Sequence, residues 1–201
     1  MQWAGLGTLL RRADVLLTLG LTLCYFTAIF TVFAYIGPVL QALAPMSSGR
    51  LSLTLMLFGV SGVAGTLIGG AANDRHGPLH TLRVLLLLLA LMMAVLPLAR
   101  GHWGWLVVVM LLWGTAGFGM MAPQQMRLAP VAPVQAPLLL SLNTSMLYLG
   151  TALGAVVGGA AGAIVGLDHL PWVGLIFAML GLGLLQAGTW LARRQGVPAR
   201  A

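Results

Sequence analysis

The sequence predicts an all-α membrane protein built from six transmembrane helices. Of its 201 residues, 60% are hydrophobic and only 6% are charged, with a mean hydropathy of +1.00. Charge-poor apolar runs approach, again and again, the roughly 20 residues that a helix needs to cross a bilayer. The arginines fall between those runs rather than within them. A soluble domain carries roughly 25% charged residues, so this chain cannot cover itself with a water-compatible surface. An ordinary soluble enzyme, a disordered tail and a secreted disulfide scaffold are therefore excluded.

The spans follow from the charge-free windows. Val15 to Gly49 is the first, broken by Gly37-Pro38 and Pro45, so it holds one span, about 15–37. The second is about 51–73. The third, Val84 to Ala99, is short but extends back to Thr81 with Arg83 able to snorkel, giving about 81–99. The fourth is about 103–126. Pro130, Pro133 and Pro137 then mark a loop, and the fifth span follows at about 138–166. The sixth is about 171–192. Residues 1–201 thus form a single bundle with no stretch left for a soluble domain. No small-residue cleavage site ends the first apolar run, so no separate signal peptide is expected.

Placing the N-terminus inside puts Arg11, Arg12, Arg75, Arg83, Arg127, Arg193, Arg194 and Arg200 on the cytoplasmic side and only Arg50 and Arg100 outside. That is the positive-inside pattern, with both termini cytoplasmic. Ten arginines against three acids would suggest nucleic acid on a soluble domain. Here they act as topology signals, and no nucleic-acid partner is expected.

Polar side chains in hydrocarbon must face protein or water. The third span has no polar atom from Val84 to Val95, and the sixth has only Gln186 and Thr189, so both suit lipid contact. The other four are richer. The first carries Thr18, Thr22, Tyr25, Thr27, Thr31 and Tyr35, and the second Ser52, Thr54, Ser61 and Thr66. The fourth carries Trp113, Thr115, Gln124 and Gln125, and the fifth Ser141, Asn143, Thr144, Ser145, Tyr148 and Thr151. Four polar helices with two apolar ones outside is the arrangement of a solute pathway. Tyr25, Tyr35, Gln124, Asn143 and Tyr148 are the candidate cavity residues. Aromatics and amides without charge suit a neutral or amphipathic solute. The competing explanation is that hydroxyls bond their own helix carbonyls.

In the fifth span Gly150, Gly154, Gly158, Gly162 and Gly166 recur every four residues. At 100° per residue they make a flat stripe that lets helix backbones approach closely. Ser141, Ser145 and Tyr148 lie on the opposite face. Gly62, Gly65, Gly69 and Gly70 repeat the theme in the second span. Between the second and third spans, Asp74 and Arg75 stand where a helix meets the cytoplasm, followed by a turn-permitting glycine.

Other chemistry finds no support. Asp14, Asp74 and Asp168 are the only acids and lie at span ends, as do the four histidines. No mid-membrane proton carrier is present, so proton coupling would need a carrier on another polypeptide. The lone Cys24 lies in an apolar stretch and cannot form an intramolecular disulfide. Gly59-Val-Ser61-Gly62 matches the serine motif of rhomboid-type proteases, but no span has a central histidine to activate it. No metal, no cofactor and no enzymatic activity are expected.

Three stretches together resemble a known family. Leu10-Arg-Arg-Ala-Asp-Val15 with Phe33-Ala-Tyr35-Ile-Gly-Pro38 resembles the start of the seventh helix of major facilitator superfamily transporters, closest to the drug:proton antiporter and arabinose-efflux-permease-like branch. Leu57-Phe58-Gly59-Val-Ser-Gly62 through Gly70-Ala-Ala-Asn-Asp74-Arg75-His-Gly77 resembles the eighth helix and its Gly-x-x-x-Asp-Arg-x-Gly loop. Ser141-Leu-Asn143-Thr-Ser145 through Leu149-Gly150-Thr-Ala-Leu-Gly154 resembles the eleventh. The resemblance implies the C-terminal six-helix half of a twelve-helix, bacterial inner-membrane transporter, with the superfamily's 3+3 helix repeat.

On this resemblance, Gly70, Asp74, Arg75 and Gly77 form a conformational loop motif. Pro78 and Leu79 replace the basic residues that often follow it. The function implied is efflux of a small organic solute, such as a drug, sugar or nucleoside, by alternating access. A six-helix half leaves one cavity wall open, so the expected partner is an N-terminal six-helix half or a second copy of the chain, beside lipid and substrate. The alternative is a non-transporting membrane subunit or truncated relic of such a transporter.

Overall fold

The computed structural model describes residues 11–194, together with Gly7. Leu10 and Arg200 lie outside the described residues, as does the side chain of Arg193. The elements are α1 (Ala13–Phe33), α2 (Ile36–Leu43), α3 (Ser48–His76), α4 (Pro78–Val95), α5 (Trp103–Gly119), α6 (Met121–Leu128), α7 (Ala136–Val165) and α8 (Leu170–Arg194). Among the described residues six segments are long and apolar enough to cross a membrane: α1, α3, α4 with its 3-10 extension to Ala99, α5 with α6, α7, and α8. The predicted all-helical class with six apolar helices is what the chain forms.

Local chemistry sets the breaks. Asp14 opens α1 by accepting from Val15 N at 2.9 Å, where an acid suits the helix N-terminus. Arg12 donates to the same carboxylate at 2.6 and 3.1 Å, and this hydrogen bond raises the guanidinium above its ordinary value. Pro38 has no N–H to return to Ala34, so α1 stops at Phe33 and the chain restarts as α2 after Tyr35. The Ser47 side chain caps α3 by accepting from Arg50 N at 3.4 Å. A single residue, Gly77, joins α3 to α4 at φ 78 and ψ 162. Gly166 ends α7 at φ 86. Short 3-10 turns at Pro130 and Pro133 link α6 to α7.

Lipid is as apolar as leucine, so little hydrophobic gain drives one helix against another in a membrane. Close backbone approach and hydrogen bonds must do more of the work, and the helix pairing reflects this. Helix α1 packs against α7 and α8, while α5 packs against α3 and α4, and α4 meets α8. Exchanging α1, α3 and α4 with α5, α7 and α8 in order maps this set of pairs onto itself, so the packing has the two-fold pattern of an internal three-helix repeat. Phe58 of α3 joins the halves, with ring centroids 4.9 Å from Trp113 and 5.5 Å from Phe33.

Polarity and burial do not sort the helices alike. Helix α4, without a polar side chain from Val84 to Val95, buries Leu82, Leu85, Leu86, Leu89, Met92 and Met93, and 56% of its most apolar stretch is covered. In α7 that share is 17%, and in α3 it is 28%. These two polar helices flank the bundle, each held along one side.

Candidate functional site

Close approach is concentrated where α7 crosses α1. A methyl group added at Gly150 would stand 2.7 Å from the Leu23 carbonyl oxygen, and one at Gly154 would stand 2.8 Å from both Phe30 Cβ and the Thr27 oxygen. At Gly158 it would meet the Thr31 oxygen and, at 2.9 Å, the Tyr35 ring. Gly162 instead faces Leu167 at 3.2 Å, beyond α1. On α3, Gly65 lies against the backbone of Thr115 and Gly69 against that of Gly119. The two glycine-bearing helices thus take equivalent places on α1 and α5.

At the end of the bundle that carries Asp14, this approach brings three polar side chains together. Thr22 Oγ1 donates to Asn143 Oδ1 at 2.6 Å. Gln124 Nε2 donates to Thr22 Oγ1 at 2.8 Å and to the Thr18 carbonyl at 2.7 Å. Thr22 and Gln124 are fully buried and Asn143 is 5% exposed. The knot ties α1, α6 and α7. Gln124 Oε1 is buried and has no protein partner. A polar network in an apolar surround has high stakes, because each unmade bond carries its whole desolvation penalty.

The remaining cavity candidates lie elsewhere. Tyr25 is in the apolar core, its ring 4.6 Å from that of Phe26. Tyr35 donates to the Ala155 carbonyl at 3.0 Å, tying the end of α1 to α7. Tyr148 is 68% exposed, on the α7 face that also exposes Ser141, Thr144 and Ser145. Those three hydroxyls bond carbonyls of their own helix, at 3.0, 3.0 and 3.1 Å. Ser61, the serine of the protease-like string, donates to the Phe58 carbonyl at 2.7 Å.

In the loop motif, Asp74 and Arg75 are exposed, and a methyl at Gly70 would touch nothing. Residues Asn73 to Pro78 with Met126 line an open cleft of about 490 Å³. Asn73 donates to Asp74 Oδ1 at 3.4 Å, while its own Oδ1 is buried without a partner. At the opposite end Arg100 pairs with Asp168, which also meets His169 Nδ1 at 3.0 Å.

Gln124 and Asn143 stand out in the sequence, but Thr22, the hydroxyl that connects them, does not. The signal for it is weak. Thr18 and Thr22 are one helical turn apart on α1, which places both on one side, but Thr27 and Thr31 repeat that spacing and simply bond Leu23 and Thr27 carbonyls.

No family model matches the chain. Among curated proteins, it is similar to the inner membrane transport protein YdhP of Escherichia coli K12, with 37% identity over 177 residues. That match covers 88% of this chain and 45% of the relative. The YdhP of Escherichia coli O157:H7 matches with the same identity and coverage. An uncharacterized MFS-type transporter of Bacillus subtilis 168, YbcL, is 28% identical over 174 residues, 87% of this chain and 45% of the relative. The chain spans about half the length of the curated relatives it matches.

Proposed function

The chain is a half-length relative of major facilitator-type transport proteins, and from that premise we propose that it forms one six-helix half of an alternating-access transporter that exports a small organic solute. The half is the C-terminal one, set in a bacterial inner membrane with both ends of the bundle's chain cytoplasmic. A second six-helix unit, an N-terminal half or another copy, closes the pore. The solute is neutral or amphipathic, in the class of drugs, sugars and nucleosides. Any coupling proton is carried by the other unit, because the acids here stand at helix ends.

One observation carries this reading. Helix α7 is packed along its glycine side, and the first part of its other side exposes Ser141, Thr144, Ser145 and Tyr148, giving way to Leu149, Leu153 and Val156 further along. A polar face at membrane depth suits a water-filled pathway or a protein partner rather than lipid. Asn143 lies on the glycine side, bonded to Thr22, and with Gln124, Tyr25, Tyr35 and Tyr148 it makes up the candidate solute contacts. Gly70, Asp74, Arg75 and Gly77 act as the loop that latches one conformation.

The test is efflux from proteoliposomes holding the chain with a six-helix partner, for wild type and for Asn143→Ala and Gln124→Ala. The reading expects solute-dependent flux that falls in both variants. Flux that is unaltered by either substitution would remove them from the pathway. No flux and no solute-dependent thermal stabilisation with either partner would instead favour a non-transporting subunit. The closed burial of Gln124 and Tyr25 is the observation on that side.

A further inference from the structure

The end of the bundle that carries Asp14 also holds a guanidinium that, among the described residues, makes no ion pair. Arg127, in the last turn of α6, is half-buried, and its Nη1 is buried without a hydrogen-bond partner. Its Nη2 reaches past α1 to the surface of α8, where it lies 2.8 Å from the place a Cβ would occupy at Gly188. Leu17 of α1 borders the same point at 3.9 Å. Gly188 is therefore a notch through which the cation reaches the groove between α1 and α8.

Among the described residues no carboxylate pairs with it. Asp14, the acid on this part of α1, is held by Arg12 through two hydrogen bonds. Asp74 lies on α3 and Asp168 at the far end. The groove itself becomes more positive outward. Gly181 meets Leu21, Gly20 meets Leu184, and Gly188 meets Leu17, so α1 and α8 run antiparallel in a fixed register. Beyond this crossing, at the same end, Arg11 and Arg12 precede the start of α1, and on α8 the Arg194 guanidinium lies 3.8 Å over the Trp190 ring. A cation stacked on tryptophan beside an apolar groove is the chemistry of a bilayer interface.

We propose that the α1–α8 groove is a specific site for an anionic phospholipid, with the headgroup phosphate on Arg127 at the Gly188 notch and Arg11 at the rim. The phosphate supplies a charged acceptor to Nη2, the guanidinium nitrogen that reaches the Gly188 notch. The acyl chains run along Leu17 and the apolar flank of α8. Basic pockets between membrane helices bind lipid headgroups by this same chemistry.

The test uses the full 201-residue chain in phosphatidylcholine vesicles with and without phosphatidylglycerol, read by thermal unfolding and by lipid retained in native mass spectrometry. Phosphatidylglycerol should raise the unfolding temperature and be retained. Arg127→Gln should abolish the rise and weaken retention about fivefold, the effect of one interfacial arginine. Gly188→Ala, which keeps every charge but closes the notch, should do the same and serves if Arg127→Gln does not fold. Arg50→Gln, at the opposite end, should retain lipid as wild type does. Equal retention in Arg127→Gln, or in Gly188→Ala, overturns the site. So does an equal loss in Arg50→Gln, which would mean general charge attraction. Inorganic phosphate producing the same stabilisation in phosphatidylcholine alone would make this a free-anion site and overturn the lipid assignment.

Discussion

Thr22 of α1 donates its hydroxyl proton to Asn143 of α7 across 2.6 Å, in a setting with almost no exposed surface. The same oxygen accepts from Gln124 at 2.8 Å, so one hydroxyl serves three helices. Thr22→Val keeps the shape and removes both bonds, and should lower stability by about 1–3 kcal/mol. Thr22→Ser should retain most of it. Unfolding in detergent or by steric trapping in bilayers checks the pair. A loss confined to Thr22→Ser would point to the methyl group rather than the hydroxyl.

The glycine stripe makes a graded prediction along α7. Gly154→Val places atoms where Phe30 and the Thr27 carbonyl stand, so α1 and α7 must separate. Overpacking of this kind is expected to cost about 1–3 kcal/mol. A methyl at Gly59 or Gly183 touches nothing within 4 Å. Alanine there should be neutral or stabilise by up to about 1 kcal/mol, the helix-propensity gain. Thermal unfolding of the three variants separates close approach from mere helix propensity.

Gly77 is constrained by its backbone. Its φ of 78 with ψ of 162 lies where only glycine sits comfortably, and it must hand α3 directly to α4. Gly77→Ala is expected to cost about 1–3 kcal/mol of stability. Gly70→Ala, in the same motif but in open space, should cost nothing measurable. Protease susceptibility at this junction, measured beside unfolding, should rise in the Gly77 variant alone.

The Arg100–Asp168 pair at the opposite end should matter little. Arg100 is 56% exposed and Asp168 23%. Water screens such a pair, so Asp168→Asn should change stability by less than about 1 kcal/mol, and added salt should shrink the difference further. A larger loss, insensitive to salt, would mean that Asp168 holds the end of α7 by some other contact.

The glycine spacing on α7 is legible in the amino-acid order alone, because helical geometry turns a period of four into a face. What that face meets is not. Gly150, Gly154 and Gly158 lie on α1, but Gly162, one step along the same stripe, faces Leu167 because the helices have diverged. Gln124 and Asn143 stand out as amides within apolar runs. Their partner Thr22 does not, since a threonine that bonds its own helix and one that bridges three helices have the same local sequence.

The sequence by itself determined that the chain is all-helical, that it carries six apolar spans, and that its charges stand at their ends. These are local properties, because a segment's transfer to lipid depends on its own residues and their length. Only the tertiary structure decided that α7 lies on α1 and α3 on α5, that the leucine-rich α4 is covered while polar α7 is largely bare, and that Arg127 reaches α8. The reason is physical. In a membrane an apolar face is equally content against lipid or protein, so composition cannot distinguish them. Partners are chosen by shape and by hydrogen bonds between residues as much as 121 positions apart.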